Sequence, residues 1–421
     1  LAAALAQAED PEGVVPRAAA ARRSPPAQAL LSEVIAELRP GGSFTARDVT
    51  PPTASLFFGA GGLACGLYRL ALRRADAGDT GAARLLAAAD LWLSQAERAA
   101  EAPEAFLNPA MDMTPEVAGT ISPYHTPSGL AALRALLANA QGDASGALHA
   151  TRVFTRLALG WLDEPGAAPR GTEGLDLTLG RSGVLLAAAL LADVLADDAA
   201  ERVRLGELSG RLLDRLWEEL DLAAPLGEQP VVPNLGIAHG WAGYLYATLR
   251  WCRAFGRGAY PAGLQPRLAE LAAAAEPWGR GLRWRWNGGG VSSMPGWCNG
   301  SAGFVHLWTL AHRELGEPRF AELAEGAVWN AWEGPESGGS LCCGGAGRAY
   351  ALLAWSRHLG GDRRWLARAQ TLADRAAIAI RATAEKADSL YKGRLGVAVL
   401  AADLEAPESA AFPFFEAEGW R

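Results

Sequence analysis

Three of the five cysteines, Cys298, Cys342 and Cys343, lie in two glycine-rich motifs that each precede an apolar segment of helical character. Thiolates brought together from separate helix starts form a compact set of soft ligands, which suits zinc. Three protein ligands leave the fourth tetrahedral position open, as in catalytic zinc sites. Three thiolates also place much negative charge on the metal. Such a site therefore favours holding a substrate thiol as a nucleophile over activating a bound water for hydrolysis.

A structural role is the alternative for these cysteines, since free cysteines often pack in protein cores as small hydrophobic residues. We predict that role for Cys65 and Cys252, each of which lies within a largely apolar helical segment. The other three differ because each adjoins a glycine motif, where the fold gathers its functional groups. We therefore predict one zinc ion per chain, held by Cys298, Cys342 and Cys343.

Two further residues are candidates for acid–base chemistry. His239 immediately precedes the motif Gly240-Trp241-Ala242-Gly243, and its ordinary pKa suits proton transfer near neutral pH. Asp176 stands four residues before Gly180, and a carboxylate there can orient His239. Each has a structural alternative: a buried or capping histidine, and an aspartate that caps a helix.

Substrate contacts are predicted at Trp241, Trp297 and Asn299, which lie in or beside the same motifs. Aromatic side chains there can line a groove for a peptide. The alternative for the tryptophans is packing between layers of helices, because the chain contains 15 of them.

The elements that must position these residues follow from a repeat. A Gly-x-x-Gly motif followed by an apolar helical segment recurs along the chain. Second glycines are spaced between 44 residues (303 to 347) and 67 residues (62 to 129) apart, so each interval has room for two helices. The copies are 59–62, 180–183, 240–243, 300–303, 344–347 and 393–396, with a seventh, degenerate copy at Thr126-Pro127-Ser128-Gly129.

Helices that begin at these motifs carry few charges, whereas the segments between them are amphipathic. Alternating buried and amphipathic helices predict an all-α fold, an (α/α) toroid of seven inner and seven outer helices. If all inner helices run the same way, the seven glycine motifs meet at one end of the ring. We predict one toroid domain over 55–421, preceded by a partly disordered extension or linker over 1–54.

Composition excludes several classes of function. With 39 basic and 46 acidic residues the net charge is −7, and no basic block exists, which argues against nucleic acid as the main partner. The sequence contains no stretch of about 18 uncharged apolar residues, the length that a transmembrane helix needs. An odd number of cysteines does not suggest a disulfide framework, so the sequence predicts a cytoplasmic protein.

The motifs together resemble those of the lanthionine synthetase C-like family, in a variant with a Cys-Cys-Gly zinc motif. The matching stretches are 176–183, His239-Gly240, Trp297-Cys298-Asn299-Gly300, Cys342-Cys343-Gly344, and 391–393 with 413–416. The resemblance implies one zinc ion and a Michael-type addition of a peptide cysteine to dehydroalanine or dehydrobutyrine. By position, His239 would protonate the enolate and Asp176 would assist it. The implied partners are a dehydrated precursor peptide and a dehydratase or kinase, as a separate protein or an upstream domain.

Two positions depart from the family pattern. Cys343 stands where many members have histidine, which should make a bound thiolate more reactive. Met294 and Asn299 stand where some members have an arginine and a tyrosine. Two alternative functions stay open: addition of glutathione to dehydrated residues, and a non-catalytic peptide-binding scaffold that keeps zinc for stability.

Overall fold

A computed structural model describes residues 24–163, 172–196, 199–228, 234–256, 260–286, 292–382 and 388–417. The regular secondary structure in these ranges is almost entirely helical, with one short antiparallel hairpin. The helices and strands are α1 (Pro26–Leu38), α2 (Ala60–Asp76), α3 (Ala82–Ala99), α4 (Pro115–Ala118), α5 (Pro127–Ala140), α6 (Ala144–Leu159), α7 (Arg181–Ala192), α8 (Ala200–Leu222), α9 (Trp241–Phe255), α10 (Leu264–Ala273), β1 (Glu276–Trp278), β2 (Gly281–Arg283), α11 (Ser301–Leu315), α12 (Pro318–Glu333), α13 (Gly345–His358), α14 (Arg363–Ile380) and α15 (Arg394–Asp403).

The long helices form two concentric rings. Helices α2, α5, α7, α9, α11, α13 and α15 each pack against the next, and α15 packs against α2 to close the inner ring. Helices α3, α6, α8, α10, α12 and α14 each pack outside the inner helix that precedes them. The predicted toroid is therefore confirmed.

The seventh outer position, beside α15, is filled by α1, which also packs against α14. Leu30 and Leu31 of α1 are buried in the common core, and the side chain of Gln28 donates a hydrogen bond to the Ala401 carbonyl at 2.9 Å. Helix α1 lies within the segment that the sequence assigned to an extension. The boundary between residues 54 and 55 stays a prediction, but the described residues before it contribute to the ring.

Inner and outer helices differ as their sequences predict. All twelve residues of α7 are buried. In α14 the buried side chains recur every three or four residues from Trp365 to Ile380, and the other face carries charges. None of the helices in the described ranges is long and apolar enough to cross a membrane.

The second glycine of each motif allows a close contact between the inner helix and the loop before it. A Cβ atom there would lie 1.6 to 2.5 Å from the carbonyl oxygen of the residue six positions earlier, which no side chain tolerates. This holds for the degenerate copy too, where the residue is Gly129 and the carbonyl belongs to Pro123. The full set is Gly62, Gly129, Gly183, Gly243, Gly303, Gly347 and Gly396.

Backbone hydrogen bonds join the seven loops into a closed circle at one end of the toroid. The residue five positions before each second glycine pairs with the equivalent residue in the next loop. The N–H···O distances are 3.2 Å (Phe57 to Tyr124), 3.3 Å (Thr178 to Ala238), 2.8 Å (Ala238 to Cys298), 3.0 Å (Cys298 to Cys342), 3.0 Å (Cys342 to Tyr391) and 3.5 Å (Tyr391 to Phe57). The Ser122 hydroxyl bridges Tyr124 and Thr178. The predicted meeting of the loops at one end is thus confirmed.

The segment after α15 enters the middle of the ring as an aromatic plug, formed by Phe412, Phe414 and Phe415, which are at most 1% exposed. Phe412 stacks on Trp297 beneath the loops, with ring centroids 4.9 Å apart. Phe415 stacks on Tyr246 at 4.4 Å, nearer the opposite end. The plug separates the loop end of the toroid from the far end.

Candidate metal centre and acid–base site

The loop circle places one side chain from each motif at equivalent positions around one end of the toroid. In each motif, the residue four positions before the second glycine directly follows the residue whose backbone takes part in the loop circle. The seven side chains at this position therefore surround the same axis. Three of them, His239, Cys343 and Lys392, are the groups best suited to chemistry. The complete set is Phe58, His125, Leu179, His239, Asn299, Cys343 and Lys392.

Cys298, Cys342 and Cys343 form a compact cluster. The Cys343 sulfur lies 3.4 Å from that of Cys342 and 3.7 Å from that of Cys298, and all three sulfurs lie within 4.8 Å of one another. Cys298 and Cys342 are 5% and 6% exposed, and Cys343 is half-buried. Because the two cysteines from α13's loop are adjacent in sequence and the third comes from the neighbouring loop, two loops are enough to assemble the set.

These sulfurs fit zinc. A zinc ion with bonds of about 2.3 Å to tetrahedral thiolates separates the sulfurs by about 3.8 Å, close to the observed spacing. Cys298 and Cys342 hydrogen-bond to Cys343, and these contacts together with Lys392 hold the pKa of Cys343 well below its usual value. Three sulfurs in mutual hydrogen-bonding contact form an arrangement in which a metal can replace the shared protons. Among the described residues, this is the group of three histidine, cysteine or acidic side chains able to hold a metal.

Lys392 was not predicted as a site residue. Its ammonium donates a hydrogen bond to the Cys343 sulfur at 3.0 Å, and the thiolate charges outweigh burial and raise the pKa of Lys392. Among the described residues no carboxylate pairs with it. The sequence carries one signal that would have found it: Lys392 stands four positions before Gly396, as Cys343 does before Gly347 and His239 before Gly243.

His239 and Asp176 form a hydrogen-bonded pair. The Nδ1 atom of His239 lies 2.8 Å from Oδ2 of Asp176. The other carboxylate oxygen accepts from the backbone N–H of Thr178 at 2.6 Å and of Leu179 at 2.8 Å, and from the Thr178 hydroxyl at 2.9 Å. Asp176 is therefore buried and fixed, and it sets the tautomer with the proton on Nδ1, leaving Nε2 for chemistry.

The electrostatics of this pair favour the charged imidazolium. Burial alone would lower the pKa of His239, but the hydrogen bond and charge of Asp176 outweigh it and raise the pKa above its ordinary value. Lys392 and Cys343 also act on this pKa, in opposite directions, so the pair and the sulfur cluster share one electrostatic site. The structural alternative of a helix cap is not observed, because Gly180 is the N-cap of α7 and Asp176 instead holds the turn at Thr178 and Leu179.

The predicted substrate contacts occupy different environments. Trp241 is 4% exposed and packs against Tyr244 and, at 4.8 Å, the Arg267 guanidinium, between the inner and outer rings. Trp297 is fully buried on the aromatic plug. Asn299 is 7% exposed, and no described residue hydrogen-bonds its side-chain oxygen. Asn299 thus offers a free acceptor beside the cluster, and contact of the three residues with a substrate stays a prediction.

The remaining sulfur-containing side chains near the cluster and elsewhere in the fold have different surroundings. The Met294 sulfur, at one of the two positions that depart from the family pattern, lies 3.9 Å from that of Cys298. Cys65 and Cys252 are buried within α2 and α9, away from the cluster, as predicted. None of the five cysteines forms a disulfide.

Comparison with known proteins concerns the family and the fold of this chain. The sequence model described as "Lanthionine synthetase C-like protein" matches residues 77–417. Among solved structures, one described as "Nisin cyclase" superimposes with a TM-score of 0.64 over 88% of this chain and 92% of that chain. The two sequences are only 14% identical, so this likeness concerns the fold. No curated protein sequence matches the chain.

Proposed function

This chain belongs to the lanthionine synthetase C-like family, and we propose that it is a zinc-dependent cyclase. Its substrate would be a dehydrated precursor peptide, in which it joins cysteine thiols to dehydroalanine or dehydrobutyrine as thioether rings. One observation carries the proposal: three sulfurs at zinc-binding spacing share one end of the toroid with an Asp–His pair, in which the carboxylate is buried and the imidazole is partly exposed.

The chemistry divides between metal and protein. Zinc held by Cys298, Cys342 and Cys343 would bind the substrate thiol and keep it as a nucleophilic thiolate. Addition of that sulfur to the β-carbon forms the C–S bond, and the α-carbon of the resulting enolate then takes up one proton. His239 is placed to deliver that proton from Nε2, while Asp176 holds the ring and stabilises its charge.

The proposal carries two consequences for its surroundings. A dehydratase or a kinase and lyase must first convert serine or threonine of the peptide to the dehydrated residue, as a separate protein or an attached domain. Free cysteines throughout the chain support a reducing compartment, the cytoplasm.

A direct test uses a synthetic peptide that contains one dehydroalanine and one cysteine, incubated with zinc-loaded protein. We expect the peptide to lose its reactive thiol, measured by alkylation with N-ethylmaleimide, with no change in mass before alkylation. The Cys298→Ala variant measures the uncatalysed reaction. Equal rates with both proteins would contradict the proposal. Added glutathione distinguishes the alternative enzyme, because its product would gain the mass of glutathione.

Replacement of Asp176 by asparagine should move the pH dependence of ring formation. His239 as an acid must be protonated, so the rate should fall as pH rises through its pKa. Asp176 is what raises that pKa, and burial, which lowers it, persists in Asp176→Asn. The basic limb of the kcat/KM profile should therefore move to lower pH. A limb that stays in place would show that His239 is not the group that titrates.

Replacement of Lys392 by methionine should weaken zinc binding by about 10- to 100-fold, the usual effect of losing a partner of a metal ligand. The reason is that the Cys343 thiolate loses its ammonium donor at 3.0 Å. Competition with a chelator measures the affinity. Lys392→Arg keeps the charge and should retain most of it. Equal zinc affinities in the wild type and Lys392→Met would show that the contact has no role at the metal.

A further inference from the structure

A cavity lies at the far end of the toroid, on the other side of the aromatic plug from the sulfur cluster. All inner helices begin at the loop circle, so their carboxyl ends gather here. The cavity has a volume of about 480 Å³ and is lined by the last turns of α9, α11 and α13 and by residues of the segment 408–417. This volume lies within the range of small-molecule sites. We call it the distal cavity.

The distal cavity is rich in cationic side chains. Arg250, Arg253, Arg313 and Arg357 line it, as do His306 and His358. Its lining also includes three carboxylates, of Asp193, Glu408 and Glu416. A fourth carboxylate, that of Glu314, pairs with Arg253 just outside the lining, so the acidic and basic groups of this region balance in number.

Three of the arginines already have acidic partners. Arg250 pairs with Asp193 at 2.8 Å, Arg253 with Glu314 at 2.7 Å and Arg357 with Glu416 at 2.8 Å. Arg313 differs, because no acceptor among the described residues lies within hydrogen-bonding distance of its guanidinium. Burial and the charges of Arg253 and Arg357 lower the pKa of Arg313 by more than the carboxylates of Glu314 and Glu416 raise it. An anion in the cavity would relieve that repulsion.

Several buried polar atoms on lining residues also lack partners among the described residues. They are Nε of Arg250, Nε2 of His306, Oγ1 of Thr309 and Nη1 of Arg357. Arg250 and His306 are 8% and 3% exposed. Buried donors without acceptors are unfavourable and rare in native proteins. Basic residues at helix carboxyl ends also stabilise the helix dipole. That role explains the choice of arginine but explains neither the cavity nor the unpaired donors.

From the cavity, the Arg313 guanidinium without an acceptor and these unpartnered polar atoms, we propose that the distal cavity binds a small multivalent oxyanion bearing phosphate or carboxylate groups. Guanidinium groups match such anions because their planar N–H donors pair with two oxygens at once. Arg313 at the mouth and the Thr309 hydroxyl deeper inside would contact the ligand. The proposal concerns a site distinct from the sulfur cluster and does not depend on the cyclase function.

Isothermal titration of the full chain with inorganic pyrophosphate or citrate tests this. Either anion should bind saturably at one site per chain, and the tighter one assigns the phosphate or the carboxylate class. Arg313→Gln should weaken binding at least about tenfold, since it removes a charged donor pair. Thr309→Val, which keeps the shape, should weaken it by about threefold. Cys298→Ala should bind the anion like the wild type, which excludes capture of the anion by zinc.

The matched control is Arg98→Gln. Arg98 is exposed near the carboxyl end of α3, and this end of the helix lies at the loop end of the toroid. Its replacement by glutamine removes one positive charge, as Arg313→Gln does. It should leave affinity unchanged. Failure of both anions to bind would overturn the proposal. An equal loss in Arg98→Gln and Arg313→Gln would also overturn it, because binding would then reflect net charge and not this site.

Discussion

Replacement of His239 by asparagine is expected to lower kcat/KM for thioether formation by about 10²- to 10⁴-fold, the usual contribution of a positioned acid or base. Asparagine can still hydrogen-bond to Asp176 but has no proton to give at the position of Nε2. The buried carboxylate therefore keeps a partner, and the three sulfurs are untouched. Zinc content and helical content should match those of the wild type.

The control for this variant is His149→Asn, at an exposed position on the outer helix α6. It should retain wild-type rates. If His239→Asn also cyclised the peptide at the wild-type rate, His239 would not be the proton donor. If neither the wild type nor the variants cyclised it, although all bound zinc and peptide, the scaffold alternative would account for the protein better than the cyclase does.

Replacement of Gly129 by alanine is expected to destabilise the toroid by at least about 3 kcal/mol, the upper part of the range for overpacked sites. An added Cβ would lie 1.6 Å from the Pro123 carbonyl oxygen. The backbone of Pro123 cannot shift easily, because its neighbours Ser122 and Tyr124 both make hydrogen bonds in the loop circle. The loop must therefore move as a unit and lose its hydrogen bonds. Urea denaturation followed by circular dichroism measures the loss.

The matched control is Gly160→Ala. Gly160 has an ordinary helical backbone, and a Cβ there would meet no atom within 4 Å. It should change the free energy of unfolding by less than about 1 kcal/mol. Equal stability of Gly129→Ala and the wild type would mean that the second glycine is not required for the close contact, and the shared basis of the seven motifs would be lost.

The glycine repeat explains why the fold could be predicted from the sequence. Each second glycine marks a backbone contact that any side chain would block, so the pattern persists even where the first glycine is replaced by Thr126. The degenerate copy keeps its second glycine, Gly129, for that reason. Neighbouring loops of a closed ring bring Cys298 next to Cys342 and Cys343, although 298 and 342 are 44 positions apart. They also bring Asp176 next to His239, 63 positions apart.

Other features could not be predicted, for physical reasons. Helix α1 completes the outer ring beside α15, a contact between the two ends of the described chain that no local pattern reveals. Lys392 is an exception: its partner sulfur lies 49 residues earlier in sequence, but its position four residues before Gly396 is a signal that sequence reasoning missed. Helical periodicity does not distinguish a tryptophan that faces the site from one that packs between helices when both adjoin a glycine motif. Trp241 and Trp297 both face packing partners. The distal cavity arises only when several helix ends meet.

The zinc content of the purified protein tests the central claim most directly. We expect about one zinc per chain in the wild type and in Cys252→Ala, whose cysteine is buried away from the cluster, and almost none in Cys298→Ala or Cys343→Ala. Inductively coupled plasma mass spectrometry measures the content, and circular dichroism confirms that each variant is folded. Full zinc content in both cluster variants, or none in the wild type after purification without chelators, would contradict the three-thiolate metal centre and the cyclase mechanism built on it.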